Sequence, residues 1–125
     1  MELTEQVVMN CLFADDAYVR KALPFIDREY FQSESNKTVF DLMKNHIEKY
    51  NELPTKDSLM ISLEDVNVSE NIYKESVEFI DYLNNQKEEH RNSQWQLDAT
   101  EKWCQDRAVY NAVMKSISII NDDGP

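Results

Sequence analysis

The residue types that could carry chemistry are few in this chain, and they are poorly spaced for joint action. Neither histidine, His46 or His90, belongs to an HExxH sequence or follows a glutamate by three positions, the spacings with which helices bind zinc or a di-iron pair. His46 lies one helical turn from Met43 and Tyr50, which indicates a residue at the edge of a core. His90 lies in a polar connection, where we expect exposure. We therefore predict no metal site.

The two cysteines, Cys11 and Cys104, occupy apolar or half-apolar positions in helical patterns. This placement favours buried packing over nucleophilic catalysis, which would need a neighbouring histidine base. Two cysteines exclude a disulfide framework but leave a single bridge open. Acidic pairs stand at predicted helix ends or in loops, where solvated carboxylates are common. These pairs are Asp15/Asp16, Glu64/Asp65, Glu88/Glu89 and Asp122/Asp123. We predict no catalytic residue among them.

Glycine content bears on nucleotide binding, because loops that cradle phosphates need glycines to bring backbone N–H groups close to the ligand. The chain has one glycine, Gly124. Neither GxxxxGK[ST] nor GxGxxG can therefore occur. We predict no ATP, magnesium or dinucleotide cofactor bound by these residues.

Composition and charge exclude further classes. In 125 residues, 24 acidic side chains outnumber 13 basic ones and give a formal net charge of −11. Such a charge repels nucleic-acid backbones and anionic lipid, so we expect no direct nucleic-acid binding. No window of the sequence is apolar enough for a membrane helix or a signal peptide, and we expect no membrane partner.

Apolar residues recur at helical spacing along most of the chain. They predict a first helix of about three turns from Thr4, a second that ends near Pro24, and a short turn over 27–31. Two further helices are predicted after caps at Thr55 and Ser69. The polar connection between Leu83 and Trp95 is a candidate hinge.

The third helix has the clearest pattern before the C-terminal region. It is predicted from Ser33 or Ser35 to Tyr50, with Phe40 and Met43 as core anchors. The fold class expected for the chain is all-α, with a compact bundle of about six helices followed by a long C-terminal helix. This last helix should run from about Ser93 to Ile120, a length of about 40 Å, so that part of it protrudes.

The last helix has apolar residues on two sides when placed at about 100° per residue. The broad stripe is predicted to face the core, and its anchors are Trp95, Trp103, Tyr110, Val113 and Ile117. The weaker stripe is a candidate interface: Leu97, Cys104, Ala108, Ala112 and Ile119. Small residues in that stripe would let another helix approach closely. An alternative stays open, in which Ala108 and Ala112 are only good helix formers on a solvated face.

A family resemblance rests on the order of several short elements. They are Glu5-Gln6-Val7-Val8, the acidic break after Leu12-Phe13, Asp27-x-Glu29-Tyr30-Phe31, Val39-Phe40, Leu53-Pro54-Thr55, and Arg107 with Ala112 in the last helix. In this order they resemble the N-terminal domain of DnaB-type replicative DNA helicases, particularly the primosome helicases of T4-like bacteriophages. The resemblance covers about 3–63 and 93–120.

The resemblance implies a modular role. It implies a globular helical domain over 1–92 and, over 93–125, the first arm of an oligomerisation hairpin that is cut short, with the ATPase domain not present. It also implies self-association as a hexamer in the parent protein, binding of primase and of a helicase loader, and a location at the replication fork in the cytoplasm of the bacterial host. The parent would be an ATP-dependent 5′-to-3′ DNA helicase, with ATP and Mg confined to the absent domain, and this piece would not be an enzyme.

Two other functions compete with this one. A free-standing acidic helical adaptor or DNA mimic would explain the net charge, although Lys37, Lys44, Lys49 and Lys56 interrupt the rows of like charge that mimicry requires. A small metal- or carboxylate-dependent enzyme would need the ligand clusters that the sequence lacks.

Overall fold

Helices account for the fold throughout the residues described by the computed structural model, which are 3–86 and 94–123. Over these ranges the chain is all-α, as predicted. Five helices and two short 3₁₀ turns precede one long helix. In chain order they are α1 (Leu3–Ala14), α2 (Asp16–Ala22), η1 (Leu23–Phe25), η2 (Arg28–Tyr30), α3 (Glu34–Tyr50), α4 (Lys56–Glu64), α5 (Glu70–Gln86) and α6 (Gln94–Asp123).

Local signals set several of the helix ends. The side chains of Asp15, Ser33 and Thr55 each accept a backbone N–H three residues on, at 3.0–3.1 Å, so each satisfies a donor that the first helical turn leaves free. Asn51 ends α3 in the left-handed region with φ 55°, where asparagine is tolerated better than most residues. Of the two caps predicted for α3, Ser33 and Ser35, the structure uses Ser33, and it also uses the predicted caps at Thr55 and Ser69.

Helix α1 lies at the centre of the core. It packs against α2, α3, α5 and α6, and its buried apolar side chains are Val8, Met9, Cys11, Leu12 and Phe13. A helix that is apolar on several sides is stable in water only when other helices surround it. The body of the protein is therefore organised around α1, and α6 packs against it.

The orientation of α6 corrects part of the sequence prediction. Phe40, Met43 and Trp103 are buried, but Trp95, Tyr110, Val113 and Ile117 are 59%, 53%, 51% and 45% exposed. The side that faces the body instead carries Gln96, Thr100, Trp103 and Cys104, and it is rotated by about a quarter of a turn from the predicted core stripe.

Polar contacts and aromatic packing explain this rotation. The Trp103 ring packs between Tyr30 and Phe31, with ring centroids 6.0 and 5.2 Å away. The Tyr18 hydroxyl and the Thr100 hydroxyl form a buried hydrogen bond of 2.6 Å. A buried threonine with a partner is compatible with a core, so a pattern of apolar residues alone misplaces the face.

Candidate protein-interaction site on the last helix

The second half of α6 projects beyond the body. Between 94 and 121, Cys104 is the last buried residue of α6, and we call residues 105–121 the arm. Large apolar side chains are exposed along it: Val109, Tyr110, Val113, Met114, Ile117, Ile119 and Ile120. Contiguous exposed apolar surface of this kind marks interaction sites in proteins. The arm is therefore the strongest candidate for a functional surface.

One face of the arm has the spacing of a coiled-coil seam. Tyr110, Val113, Ile117 and Ile120 follow one another at intervals of three, four and three residues, which are the a and d positions of a heptad. We call these four residues the heptad seam. It lies about a quarter of a turn from the body-facing line, which runs through Trp103 and Arg107. A second helix could cover the heptad seam without displacing any core contact.

The opposite face begins in an apolar groove. Three residues of the predicted interface, Leu97, Cys104 and Ala108, line this groove of about 580 Å³ between α6, α2 and η1. The structure thus brings these three together. Cys104 is the most buried of the three, with only 9% of its surface exposed. Ala112 and Ile119 lie farther along the same face and are exposed.

The predicted interface did not include the lining residues of this groove outside α6, and the most exposed apolar one among them is Phe25. Phe25 lines it and is 74% exposed, although phenylalanine is normally buried. The signal was present, because Pro24 lies in a tight 3₁₀ turn that begins at Leu23, directly after α2, and this turn carries the next side chain away from the helical stripe. Phe25 adds an exposed aromatic ring to the rim of the groove.

Two polar residues attach the start of the arm to the body. Arg107 Nε donates a hydrogen bond of 2.7 Å to the carbonyl oxygen of Tyr30, and Asn111 Nδ2 donates one of 2.8 Å to the carbonyl oxygen of Glu29. The Arg107 guanidinium also lies 4.8 Å from the centroid of the Tyr110 ring, within cation–π range. These residues join the arm to the turn η2.

Both cysteine thiols of the chain are held in their neutral forms. Burial raises the pKa of the Cys104 thiol to about 11, and burial with the nearby Asp15 carboxylate raises the pKa of the Cys11 thiol to about 12. The thiolate is the nucleophilic form, so these thiols are packing residues at neutral pH. Both are free cysteines.

The remaining candidates for chemistry form no cluster in the described ranges 3–86 and 94–123. His46 lies 3.7 Å from Glu52 and packs on Tyr50, at the edge of the body. No group of three or more histidine, cysteine or acidic residues there could hold a metal ion, and none of the helices described is both long and apolar enough to cross a membrane. His90, the Glu88/Glu89 pair and most of the candidate hinge lie outside the described residues.

Comparison with known proteins gives a relative over nearly the whole chain. A DnaB-like replicative helicase of Enterobacteria phage T4 is 34% identical over 114 residues, which are 91% of this chain. The chain spans 23% of the length of that relative. No family model matches the chain. The predicted resemblance to DnaB-type replicative helicases is confirmed by this similarity, and the acidic-adaptor alternative has no comparable support.

Proposed function

We propose, from this relationship to DnaB-type replicative helicases, that the chain forms the N-terminal region of such a helicase. Its role would be in the assembly of the helicase and not in ATP hydrolysis or DNA unwinding. In this proposal ATP hydrolysis and 5′-to-3′ movement on DNA belong to a separate domain. The parent would act as a hexamer at the replication fork, in the cytoplasm of the bacterial host. The residues of this chain would supply contacts between proteins and no catalytic group.

The observation that carries the proposal is the exposed heptad seam. Four large side chains on one line of the arm would be costly to leave in water, at about 25 cal/mol for each Å² of apolar surface. The spacing of Tyr110, Val113, Ile117 and Ile120 suits another helix placed alongside. We propose that an arm helix of a second copy covers the heptad seam.

The groove face is the second proposed contact. It points almost opposite to the heptad seam, so both could be occupied at once. Leu97, Ala108 and Phe25 offer apolar surface beside the rim charges of Lys21 and Glu101. We propose that primase binds this face, with Ala112 and Ile119 extending it along the arm, and that a helicase loader is a further candidate partner.

Self-association is tested by inserting charges into the heptad seam. Val113→Arg and Ile117→Arg should shift the chain toward smaller species in sedimentation velocity, because a buried arginine in a helix seam lacks a partner. Ser118→Arg, an exposed position about a third of a turn from the heptad seam, is the matched control and should sediment as the unmodified chain. Unchanged mass in both seam variants would remove the heptad seam as the assembly face.

Primase binding is tested with the same strategy. Ala108→Arg and Ala112→Arg should weaken binding of the cognate primase in calorimetric titration by tenfold or more, about 1.4 kcal/mol, while their sedimentation stays unchanged. If instead the seam variants lose primase and the groove variants keep it, the two faces have exchanged roles. Absence of any primase binding by the unmodified chain would refute this part of the proposal.

A further inference from the structure

The contacts between α6 and the body stop gradually along the helix. Apolar burial ends at Trp103 and Cys104. Beyond them, Arg107 and Asn111 continue the same body-facing line and are half-buried, whereas the other arm residues up to 121 are exposed. Asn111 lies about 12 Å beyond Trp103 along the helix axis. The last contacts between the body and the arm are therefore polar.

The acceptors for these two side chains are carbonyl groups that the turn η2 leaves free. In this single 3₁₀ turn the Phe31 N–H bonds to the Arg28 carbonyl. Among the backbone hydrogen bonds of the described turns and loops, none is accepted by the carbonyl of Glu29 or of Tyr30. Carbonyls at the end of a helical turn need such donors, and Arg107 and Asn111 supply them.

The turn is itself held to two other helices. The Gln32 N–H donates to the buried carboxylate of Glu5 in α1, at 3.2 Å. Arg28 Nε lies 3.0 Å from an oxygen of Asp41 in α3, and Lys37 of α3 lies 3.5 Å from the Glu29 carboxylate. Donors on the arm thus bind a turn that is anchored on α1 and α3.

We infer that Arg107 and Asn111 are positioning residues that set the direction of the arm relative to the body by binding two successive carbonyls of η2. Two hydrogen bonds one helical turn apart restrain the tilt of a helix more than a single contact does. Without them the last contacts of α6 with the body would be those of Trp103 and Cys104, and the arm would vary more widely in direction. The consequence for assembly rests on the proposed function, because the direction of the arm would set the angle at which two copies meet.

The direction of the arm relative to the body can be followed through the distance between two spin labels, measured by pulsed electron paramagnetic resonance. The labels are attached at Asn45→Cys in α3 and Ser116→Cys on the arm, both exposed positions. Labelled chain is diluted into excess unlabelled chain so that only distances within one molecule are recorded. Labelling of the chain without added cysteines gives the background from Cys11 and Cys104, whose buried thiols should react slowly.

The expected result is that Arg107→Met with Asn111→Ala widens the distance distribution about twofold while the far-UV circular dichroism stays the same. The matched control is Lys102→Met with Gln105→Ala, two exposed residues of α6, and it should leave the distribution narrow. Equal widths in the unmodified chain and the Arg107/Asn111 variant overturn the inference. So does equal widening in the control.

A second variant separates an effect on the stability of the body from an effect on the direction of the arm. If the double variant melts at a lower temperature, the distance distribution is measured in Asn111→Ala alone. This variant removes the hydrogen bond to Glu29 and leaves Arg107 intact, and the same widening is expected. Sedimentation of the same samples reports self-association independently. An arm that widens without any change in mass supports the positioning role even where the heptad seam fails as an interface.

Discussion

Buried polar and ionisable groups distinguish this core at the scale of single residues. Glu5 is 1% exposed and accepts hydrogen bonds from the Gln32 N–H and the Asn36 amide at 3.2 and 3.3 Å. Tyr18 and Thr100 share another buried hydrogen bond. Such partners offset the cost of removing polar groups from water, so these residues join the elements of the core at defined points.

The buried thiols predict how stability depends on pH. Burial raises the pKa of Cys104 from 9.0 to about 11, so the folded chain keeps a proton that the unfolded chain loses above about pH 9. The free energy of unfolding should therefore fall as pH rises through that window. Cys104→Ala should make the fall shallower in urea titrations at several pH values.

The matched control for this change is Ser76→Ala, which also truncates a small, fully buried side chain but removes no group that titrates in this range. Its dependence on pH should follow that of the unmodified chain. If the free energy of unfolding of the Cys104→Ala variant fell with pH as steeply as that of the unmodified chain, the pKa of the Cys104 thiol would not be raised in the folded state.

At the scale of the element, α6 is one continuous helix with two environments. Its first part is built into the body by Gln96, Thr100 and Trp103, and its second part exposes apolar residues around much of its circumference. Regular backbone hydrogen bonding lets a helix continue beyond the core, but a helix in water gains most of its stability from packing. We therefore expect the arm to be the less protected half in hydrogen exchange.

The two tryptophans of α6 give the sharpest test of its orientation. Trp103→Ala should lower the free energy of unfolding by about 3–5 kcal/mol, because it empties the space between Tyr30 and Phe31. Trp95→Ala should cost less than about 1 kcal/mol, because Trp95 is exposed. Urea unfolding followed by far-UV circular dichroism measures both. Equal costs would contradict the orientation found for α6.

At the scale of the whole molecule, charge separates this chain from the DNA that a helicase moves along. A net charge of −11 opposes contact with phosphates. Local ion pairs such as Lys56–Asp81, with Nζ and Oδ1 2.7 Å apart, neutralise only part of the acidic surface. In the proposed role, DNA is contacted by other domains, and this region contacts proteins.

This charge predicts that residues 1–125 do not bind single-stranded DNA measurably at about 150 mM salt. They should also show no ATP hydrolysis, because the one glycine, Gly124, cannot build a phosphate loop. Fluorescence anisotropy with a labelled oligonucleotide and a phosphate-release assay measure the two activities. Salt-dependent DNA binding would contradict the charge argument and would direct attention to the polar groove beside Lys37 and Arg107.

The amino-acid sequence by itself determined the helical class, several helix starts and the length of the last helix. These follow from local interactions: side chains such as Ser33 and Thr55 cap helices within three residues of themselves, and scarce glycine disfavours other architectures. The order of short motifs also indicated the helicase relationship, which the comparison with the T4 protein confirmed.

Only the tertiary structure decided which side of α6 meets the body. Tyr110, Val113 and Ile117 are as apolar as core residues, and sequence cannot tell a stripe covered by its own chain from one left for a partner. The choice depends on contacts distant in sequence, in which Trp103 meets Tyr30 and Phe31, Thr100 meets Tyr18, and Arg107 meets a carbonyl of η2. Apolar burial has no direction of its own, whereas these hydrogen bonds and ring contacts do.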